Sequence, residues 1–298
     1  MYHKVNDKPI TFYPAVPTKV YQDTCLFLKK YYQLIHFSEV ESYYASKPSK
    51  PAAIITFDDG MYDIIENALP FMEKHQLKFN INIDTEILET GLPQDFLRVY
   101  DILNNTSNIS SYYDEKYCKT AVDINYIDPI NTENKFTEIL SNLSSDSKRD
   151  FALRMHEKLN MQSKKYSRVI SKEELIDLSK NKLVEIGSHS HTHSVLTKVD
   201  ENRLNYELNH SKIILEKAID KAISIIAYPN GCSSEKIDEL AQQIGYKYLL
   251  KTEDKTTKMD KKNNPASFYR INQYHQNTEL ALAHTFGIIQ KIKKILRK

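Results

Sequence analysis

The chain has 298 residues, which is enough for one large barrel or sheet domain or for two ordinary domains. Lysine and arginine (41) nearly balance aspartate and glutamate (39), so the formal net charge of +2 gives no reason to expect a nucleic-acid partner. Cys25, Cys118 and Cys232 are far apart and lack CxxC spacing, which argues against a disulfide framework and a cysteine metal site. No apolar segment is long enough to span a membrane, and residues 1–10 lack a signal-peptide pattern, so we expect a cytoplasmic protein.

The first third of the chain predicts strands that alternate with helices. Residues 1–5 fit a short strand, and residues 14–44 have an apolar stripe at helical spacing. The apolar run 52–57 lacks alternation, which is typical of a strand buried on both faces of a parallel sheet. A helix that Pro70 should bend leads from it to a second strand, 78–83. This order predicts an α/β unit with a right-handed crossover.

Residues 86–168 differ in character, because they are rich in tyrosine, asparagine, serine and lysine. Within them, residues 136–143 and 148–159 predict short helices. We interpret residues 86–168 as a mainly helical insertion in a single catalytic domain that spans residues 1–275. The aromatic residues of the insertion are candidates for a substrate groove, although scattered tyrosines are more often ordinary packing and surface residues.

The rest of the chain again alternates helices with strands. Strands are predicted at 183–186, 223–228, 246–250 and 268–273, with helices at 171–178, from 200, at 234–244 and from 278. The total of about seven strands with helices between them fits a (β/α) barrel better than a sandwich or a bundle.

Polar clusters follow three of the predicted strands. Asp58 and Asp59 end the apolar run 52–57, the histidine-rich stretch Gly187–His193 follows strand 183–186, and Pro229–Gly231 follows strand 223–228. In α/β barrels the chemistry gathers at the carboxyl ends of the strands. Three such clusters on one face are therefore stronger evidence for an active site than any one of them.

The adjacent carboxylates of Asp58 and Asp59 need compensation at the end of a buried strand. Successive side chains of an extended backbone point in opposite directions, so one carboxylate is able to bind a metal while the other faces a reacting water. The alternative is a turn in which Asp58 caps the following helix, since Asp-Gly is a common turn pair.

Three histidines in five residues suggest a metal site. His189 and His193 are four residues apart, and a tight turn brings such a pair to one side while His191 points elsewhere. Neutral imidazole suits zinc, cobalt and nickel, and two histidines with one carboxylate form a catalytic metal site. Asp58 and Asp59 are the carboxylate candidates. The alternative is a histidine-rich loop that merely caps a helix.

Four short motifs in the expected order carry a resemblance to a known family. The first is TFDDG at Thr56–Gly60, and the second is GSHSHTH at Gly187–His193. YHKV at residues 2–5 and AYPNG at residues 227–231 provide two looser matches. Together they resemble the polysaccharide deacetylase family, the carbohydrate esterases with a NodB homology domain. The similarity spans most of the chain, with the segment 86–168 longer than the family core.

The resemblance implies an α/β fold, a distorted (β/α)7 barrel of the NodB type. It also implies a metal-dependent hydrolase that removes acetyl groups, N-acetyl rather than O-acetyl, from a sugar, an oligosaccharide or a polysaccharide intermediate. Carried over by position, Asp59, His189 and His193 would hold one divalent ion, zinc rather than cobalt or nickel.

Further roles follow from the same resemblance. Asp58 would be the general base, Tyr228 and Asn230 would lie beside the substrate, and a backbone N–H near Asn230 would stabilise the oxyanion. A histidine would protonate the leaving group, for which His275 and His3 are the candidates.

The chain departs from the family pattern at two places. Ala227 stands where many members carry an arginine that orients the base, and we hypothesise that Arg270 supplies this charge instead. The usual Leu-x-x-His of the last motif is not evident, so His275 could equally be a solvated loop residue.

The predicted partner is an acetylated carbohydrate, with no nucleic acid. Residues 276–298 form a C-terminal basic segment in which IIQKIKKILRK (288–298) predicts an amphipathic helix. Packing on the barrel is favoured over contact with anionic lipid for this helix. Two alternative functions remain, a carbohydrate-binding barrel with weak or lost catalysis and a hydrolase of a non-sugar amide.

Overall fold

The computed structural model describes residues 1–106, 109–159, 166–252 and 267–288. Its strands are β1 (Gln33–Leu34), β2 (Ala52–Ala53), β3 (Ile55–Phe57), β4 (Phe79–Ile83), β5 (Ser111–Asp114), β6 (Cys118–Asp123), β7 (Val184–Ser188), β8 (Ile225–Ala227), β9 (Tyr248–Thr252) and β10 (Ser267–Arg270). Its α-helices are α1 (Thr18–Tyr31), α2 (Val40–Ala45), α3 (Leu69–Lys74), α4 (Glu86–Thr90), α5 (Asp95–Asn105), α6 (Ile130–Ser141), α7 (Ser145–Lys158), α8 (Lys172–Lys180), α9 (Glu201–Ile219), α10 (Glu235–Ile244) and α11 (Thr278–Thr285).

Six parallel strands form the central sheet in the order β3–β4–β7–β8–β9–β10. All residues of β3 and β4 are buried, as the unbroken apolar run of the first strand predicts. Because every strand runs in the same direction, all six carboxyl ends lie at one edge of the sheet. Parallel neighbours need crossover connections, and helices such as α8, α9 and α10 provide them.

The N-terminal segment spans the gap between the two edge strands. The amide of Tyr2 donates to Thr56 O at 2.8 Å, and the amide of Asp58 donates to Tyr2 O at 3.0 Å. On the other side, the amide of Gln273 donates to Met1 O at 2.8 Å. This segment forms isolated bridges rather than a full strand, because β3 offers only three residues for pairing. The predicted distorted (β/α)7 barrel is therefore confirmed, with six regular strands and this segment in the seventh position.

The helix predicted after the first strand is interrupted near Pro70. Residues Ile64–Ala68 form a π-helix, and α3 then begins with Pro70 in its first turn. Proline has no amide hydrogen to donate to the preceding turn, so a regular α-helix is not possible through this position. The predicted bend thus takes the form of a change in helix type.

The insertion contains helices α4 to α7 and is mainly helical, as predicted. It also contains an antiparallel hairpin of β5 and β6 that the sequence analysis did not predict. The residues of β5 alternate between exposed and buried, which is the period-two pattern of a half-buried strand. The insertion has an apolar cluster of its own, which includes Ile102, Phe136, Phe151 and Met155.

The C-terminal part is described as far as residue 288, and α11 begins at Thr278, where the last helix is predicted. The basic helix predicted at 288–298 lies outside the described residues beyond its first residue. Among the helices that the structure describes, none has the length and apolarity needed to cross a membrane.

Candidate metal centre and active site

The aspartate pair lies directly after β3, at the carboxyl edge of the sheet. Asp59 and Gly60 both have a left-handed backbone, with φ of 73° and 63°. A Cβ atom on residue 60 would approach Ile87 Cδ1 to 2.5 Å, so that glycine is required by both its backbone and its packing. Gln94 of the insertion donates from Nε2 to Asp59 O at 2.8 Å and holds this sharp turn in place.

Asp59, His189 and His193 converge on one point. Nε2 of His189 and Nε2 of His193 each lie 3.4 Å from Asp59 Oδ1, and three ligand atoms of these residues fall within 4.8 Å of one another. His193 has a left-handed backbone with φ of 55°, which turns its ring back towards that of His189. Among the described residues this is the one group of three that meets these distances.

The hydrogen bonds of the three side chains fit a cation. Nδ1 of His189 lies 2.7 Å from Ala227 O, and since a carbonyl only accepts, Nδ1 carries the proton and Nε2 presents its lone pair. Neither carboxylate oxygen of Asp59 accepts a hydrogen bond of ordinary geometry from the described residues, although the side chain is buried. An uncompensated carboxylate there would be costly, and two imidazoles with one carboxylate suit zinc, cobalt or nickel.

The electrostatics of the site also favour a cation. Burial lowers the pKa of His189, but the carboxylates of Asp58 and Asp59 outweigh this effect and raise the pKa to about 9. Burial raises the pKa of Asp59, yet His3, His189 and His193 hold it well below its usual range. The site therefore attracts positive charge.

Asp58 lies beside this point, and its carboxylate is held by two donors. Asn82 donates from Nδ2 at 2.8 Å and Arg270 donates from Nη1 at 2.7 Å, both to Asp58 Oδ1. Burial raises the pKa of Asp58, but the positive charge of Arg270 outweighs burial and holds this pKa well below its usual range. The other oxygen, Oδ2, lies 4.0 Å from Nε2 of His189. Asp58 is thus a carboxylate with one oxygen directed towards the metal site.

Asn82 is a site residue that the sequence analysis missed. It lies on β4, is fully buried and also approaches Phe57 O, with its Nδ2 at 3.4 Å. The signal was the polar pair Asn80 and Asn82 within a strand that is otherwise apolar. Two asparagines at period two on a buried strand need partners, which neighbouring strand ends supply.

Glu207 of α9 was missed as well, and it holds the histidine-rich loop. Its side chain is fully buried. Its Oε2 accepts from the amides of His191 and Thr192 at 2.9 and 2.8 Å, and its Oε1 accepts from the Thr192 hydroxyl at 2.6 Å. Arg203 donates to Oε1 at 2.9 Å. The feature of the sequence that could have identified it is a glutamate on the apolar stripe of the predicted helix, three residues after Leu204.

A cavity of about 240 Å³ covers the metal site, between the sheet edge and the insertion. Asp58, Asp59, His189 and His193 form its floor. Residues 228, 230 and 231 of the loop after β8 lie on one side, which brings the predicted Tyr228 and Asn230 to the cavity. The insertion supplies the facing wall through Phe96, Tyr100, Thr137, Leu140, Ser141 and Lys148.

The two predicted acid candidates are in different places. His3 lines the cavity, where burial lowers its pKa against the opposing charges of Asp59 and Asp58. His275 is not part of the cavity lining, and its Nε2 lies 3.1 Å from Nδ1 of His284. His191 points elsewhere, as expected, with its Nδ1 at 2.9 Å from Thr85 Oγ1.

Comparison with known proteins connects this site to a family. Residues 140–249 match the model of the polysaccharide deacetylase family, a range that contains His189, His193 and the loop after β8. The Asp58–Asp59 pair lies outside that range. No curated protein shows significant sequence similarity to the chain.

Solved structures of deacetylases share the fold over nearly the whole chain. The deacetylase PplD of Streptococcus pyogenes, in complex with acetate, is 16% identical with a TM-score of 0.62, and the match covers 95% of each chain. IcaB of Ammonifex degensii is 13% identical with a TM-score of 0.59, covering 95% of this chain and 94% of that one. A polysaccharide deacetylase of Bacillus cereus is 18% identical with a TM-score of 0.58, covering 95% of this chain and 66% of that one.

The family model, together with the shared barrel, confirms the resemblance of this chain to the polysaccharide deacetylase family.

Proposed function

We propose that the chain is a metal-dependent hydrolase that removes acetyl groups, N-acetyl rather than O-acetyl, from a sugar, an oligosaccharide or a polysaccharide intermediate. The observation that carries this proposal is the convergence of Asp59, His189 and His193 beside the separate carboxylate of Asp58, on the floor of one cavity. The acetate bound to the Streptococcus pyogenes deacetylase is the product that such a reaction releases.

Asp59, His189 and His193 would hold the ion, for which zinc is the favoured candidate. When bound, such an ion supplies Lewis-acid activation of water and of the acetyl carbonyl. The hydrogen bond from His189 Nδ1 to Ala227 O keeps Nε2 free for binding and fixes the ring orientation.

Asp58 is the proposed general base. Arg270 and Asn82 both occupy its Oδ1, so Oδ2 is the oxygen that accepts a proton from the attacking water. The ion pair with Arg270 keeps the carboxylate charged and fixes its direction. Arg270 would thus take the role of the arginine that many family members carry at the position of Ala227. Positioning of this kind is part of the factor of roughly 10²–10⁴ that general-base catalysis contributes.

The loop after β8 is the proposed source of oxyanion stabilisation. The amide of Tyr228 donates to Leu250 O and that of Gly231 donates to Tyr228 O, so the amide of Asn230 is the proposed donor to the oxyanion. His3 is the proposed acid for the leaving amine, because it lines the cavity whereas His275 does not. Aromatic rings of Tyr13, Phe96 and Tyr100 in the lining provide apolar surface for a sugar ring.

The test combines metal content with acetate release from N-acetylchitotriose. Purified wild type should contain about one divalent ion per chain and release acetate, while a chelator should abolish the reaction and added zinc or cobalt should restore it. His189→Ala and Asp59→Asn should lose both the metal and the activity. The matched control is His191→Gln, which alters the same loop but not the converging ligands and should retain both.

Two outcomes would contradict the proposal in different ways. Bound metal without acetate release from any acetylated sugar would redirect the search to a non-sugar amide. Absence of metal in wild type, even after zinc or cobalt is added, would remove the mechanism and favour the carbohydrate-binding alternative.

A further inference from the structure

Lys148 is a buried cation that the proposed reaction does not use. It lies on helix α7 of the insertion, its side chain is 8% exposed, and it lines the cavity together with Asp59, His189 and His193. No carboxylate of the described residues forms an ion pair with its ammonium group, and no hydrogen-bond partner for it is found among them. A lysine in this position is unusual, because a buried charge is normally paired.

The helix that carries Lys148 is fixed to the metal-binding loop. The hydroxyl of Ser145 lies 2.5 Å from that of Ser194 and 3.1 Å from that of Thr192. Ser194 and Thr192 belong to the loop that Glu207 holds and that carries His193. Lys148 therefore has a defined place relative to the metal ligands.

The charge balance of the cavity favours an anion. Arg270 neutralises Asp58, and a divalent ion would more than neutralise Asp59. The ammonium group of Lys148 is then in excess, in a site partly closed to water, where electrostatic interactions are stronger than on the surface.

We propose that Lys148 binds an anionic group, a carboxylate or a phosphate, that the sugar substrate carries close to its acetyl group. This inference rests on the proposed function and narrows its substrate class to anionic acetylated sugars. Burial lowers the pKa of Lys148, Lys198 lowers it further and the carboxylate of Glu207 opposes this effect; an anionic ligand would also raise the pKa.

Calorimetric binding to the metal-loaded protein tests the inference independently of turnover. The probes are N-acetylglucosamine as the neutral sugar, N-acetylglucosamine 1-phosphate as the phosphate and N-acetylmuramic acid as the carboxylate. Wild type should bind at least one of the charged sugars tenfold or more tightly than the neutral one, and the better of the two identifies the anion. Lys148→Met should lose this preference, and Lys148→Arg should keep most of it.

A matched control removes a charge of the same sign from the insertion. Lys119 is exposed on β6 and does not line the cavity, so Lys119→Met should keep the full preference. A wild type that binds neutral and charged sugars equally, or a Lys148→Met variant that keeps the preference, would overturn the inference. Acetate release from N-acetylchitotriose and from the two charged sugars in parallel separates the two proposals. Binding that depends on Lys148 without any acetate release would support the anion site and overturn the deacetylase.

Discussion

Arg270 donates from Nη1 to Oδ1 of Asp58 at 2.7 Å, and the two residues come from opposite edges of the six-stranded sheet. Asp58 follows β3, and Arg270 is the last residue of β10. Both side chains are buried, and Nε and Nη2 of Arg270 have no hydrogen-bond partner among the described residues. The ion pair thus joins the two edges of the sheet, and one of its members is the proposed general base.

Removal of this arginine should affect the chemical step more than substrate binding. For Arg270→Met we expect kcat to fall by a factor of roughly 10²–10³ with KM changed by less than about threefold, because the base loses its orientation and its counter-charge. Arg270→Lys should recover part of kcat, since it restores the charge without the planar fork. Steady-state kinetics on N-acetylchitotriose measure both parameters.

Arg168→Met provides the control for Arg270, since it removes an exposed arginine from outside the cavity lining. A normal kcat for Arg270→Met would eliminate its proposed role in positioning Asp58. Circular dichroism and a melting curve should accompany the kinetics, because the buried Asp58 left without its partner also destabilises the fold.

Glu207 should control metal affinity although it does not touch the metal ligands. Glu207→Gln replaces one acceptor oxygen by a donor amide and should weaken metal binding by a factor of roughly 10–100, as changes behind a ligand commonly do. Its pKa is held below the usual range, because the hydrogen bonds from Thr192 and the charge of Arg203 outweigh burial. Competition with a chromophoric chelator measures the affinity.

Glu201→Gln, on the same helix but exposed, is the control for Glu207 and should bind metal as wild type does. Equal affinities in the two variants would show that the hydrogen bonds to His191 and Thr192 do not shape the metal site.

The sequence predicts that the aspartate pair and the histidine-rich loop meet, because parallel strands bring their carboxyl ends to one edge. The choice of Asp59 with His189 and His193 came from the family resemblance. The hypothesis from the sequence is that Arg270 supplies the charge beside Asp58, and the structure contains this contact. The roles of the two residues in the reaction remain predictions. Lys148 could not be predicted, because its proximity to the metal ligands depends on how the insertion folds back onto the barrel.

Other features could not be predicted because the local sequence pattern does not indicate them. The hairpin of β5 and β6 consists of short, polar strands in a region without a clear apolar period. Asn82 and Glu207 show the opposite case, since each is a polar residue at a position that the local pattern assigns to the core. A buried polar residue requires a partner, but the sequence alone does not identify that partner.

Gly187 on β7 should be intolerant of a side chain. A Cβ atom there would lie 2.3 Å from Asn82 Oδ1 and 2.9 Å from Ile225 Cγ2. For Gly187→Ala we expect a loss of about 1–3 kcal/mol in the free energy of unfolding and a fall in kcat, because Asn82 would be displaced from Asp58. Urea unfolding and acetate release measure the two effects.

Gly91→Ala is the comparison for Gly187, since no atom lies within 4 Å of its added Cβ and only its left-handed backbone, with φ of 66°, is strained. It should lose about 1 kcal/mol of stability and retain kcat. Similar kcat values for Gly187→Ala and Gly91→Ala would indicate that the contact of Asn82 with Asp58 does not depend on the absence of a side chain at residue 187.

Asp63 should make stability depend on pH in a defined window. Its Oδ2 accepts from the amide of Val5 at 2.8 Å and from Asn6 Nδ2 at 2.9 Å, while Oδ1 has no partner among the described residues. Burial outweighs these hydrogen bonds and raises the pKa of Asp63 from 3.8 to about 6. Between these values the folded state binds more protons than the unfolded state, so this contribution to stability is lost as the pH rises from about 4 to 6.

Asp63→Asn removes this titrating group. As the pH rises from about 4 to 6, the free energy of unfolding of the variant should increase relative to that of wild type by about 1–3 kcal/mol in total. Above pH 6 the difference between the two proteins should stay constant. Urea unfolding of both proteins between pH 4.5 and 7.5 provides the comparison, since effects of all other groups cancel in the difference. Asp177→Asn, an exposed aspartate on α8, should show no such trend. Parallel stability curves for wild type and Asp63→Asn would mean that the carboxylate of Asp63 is fully compensated in the folded protein, and that its raised pKa is not a property of the native state.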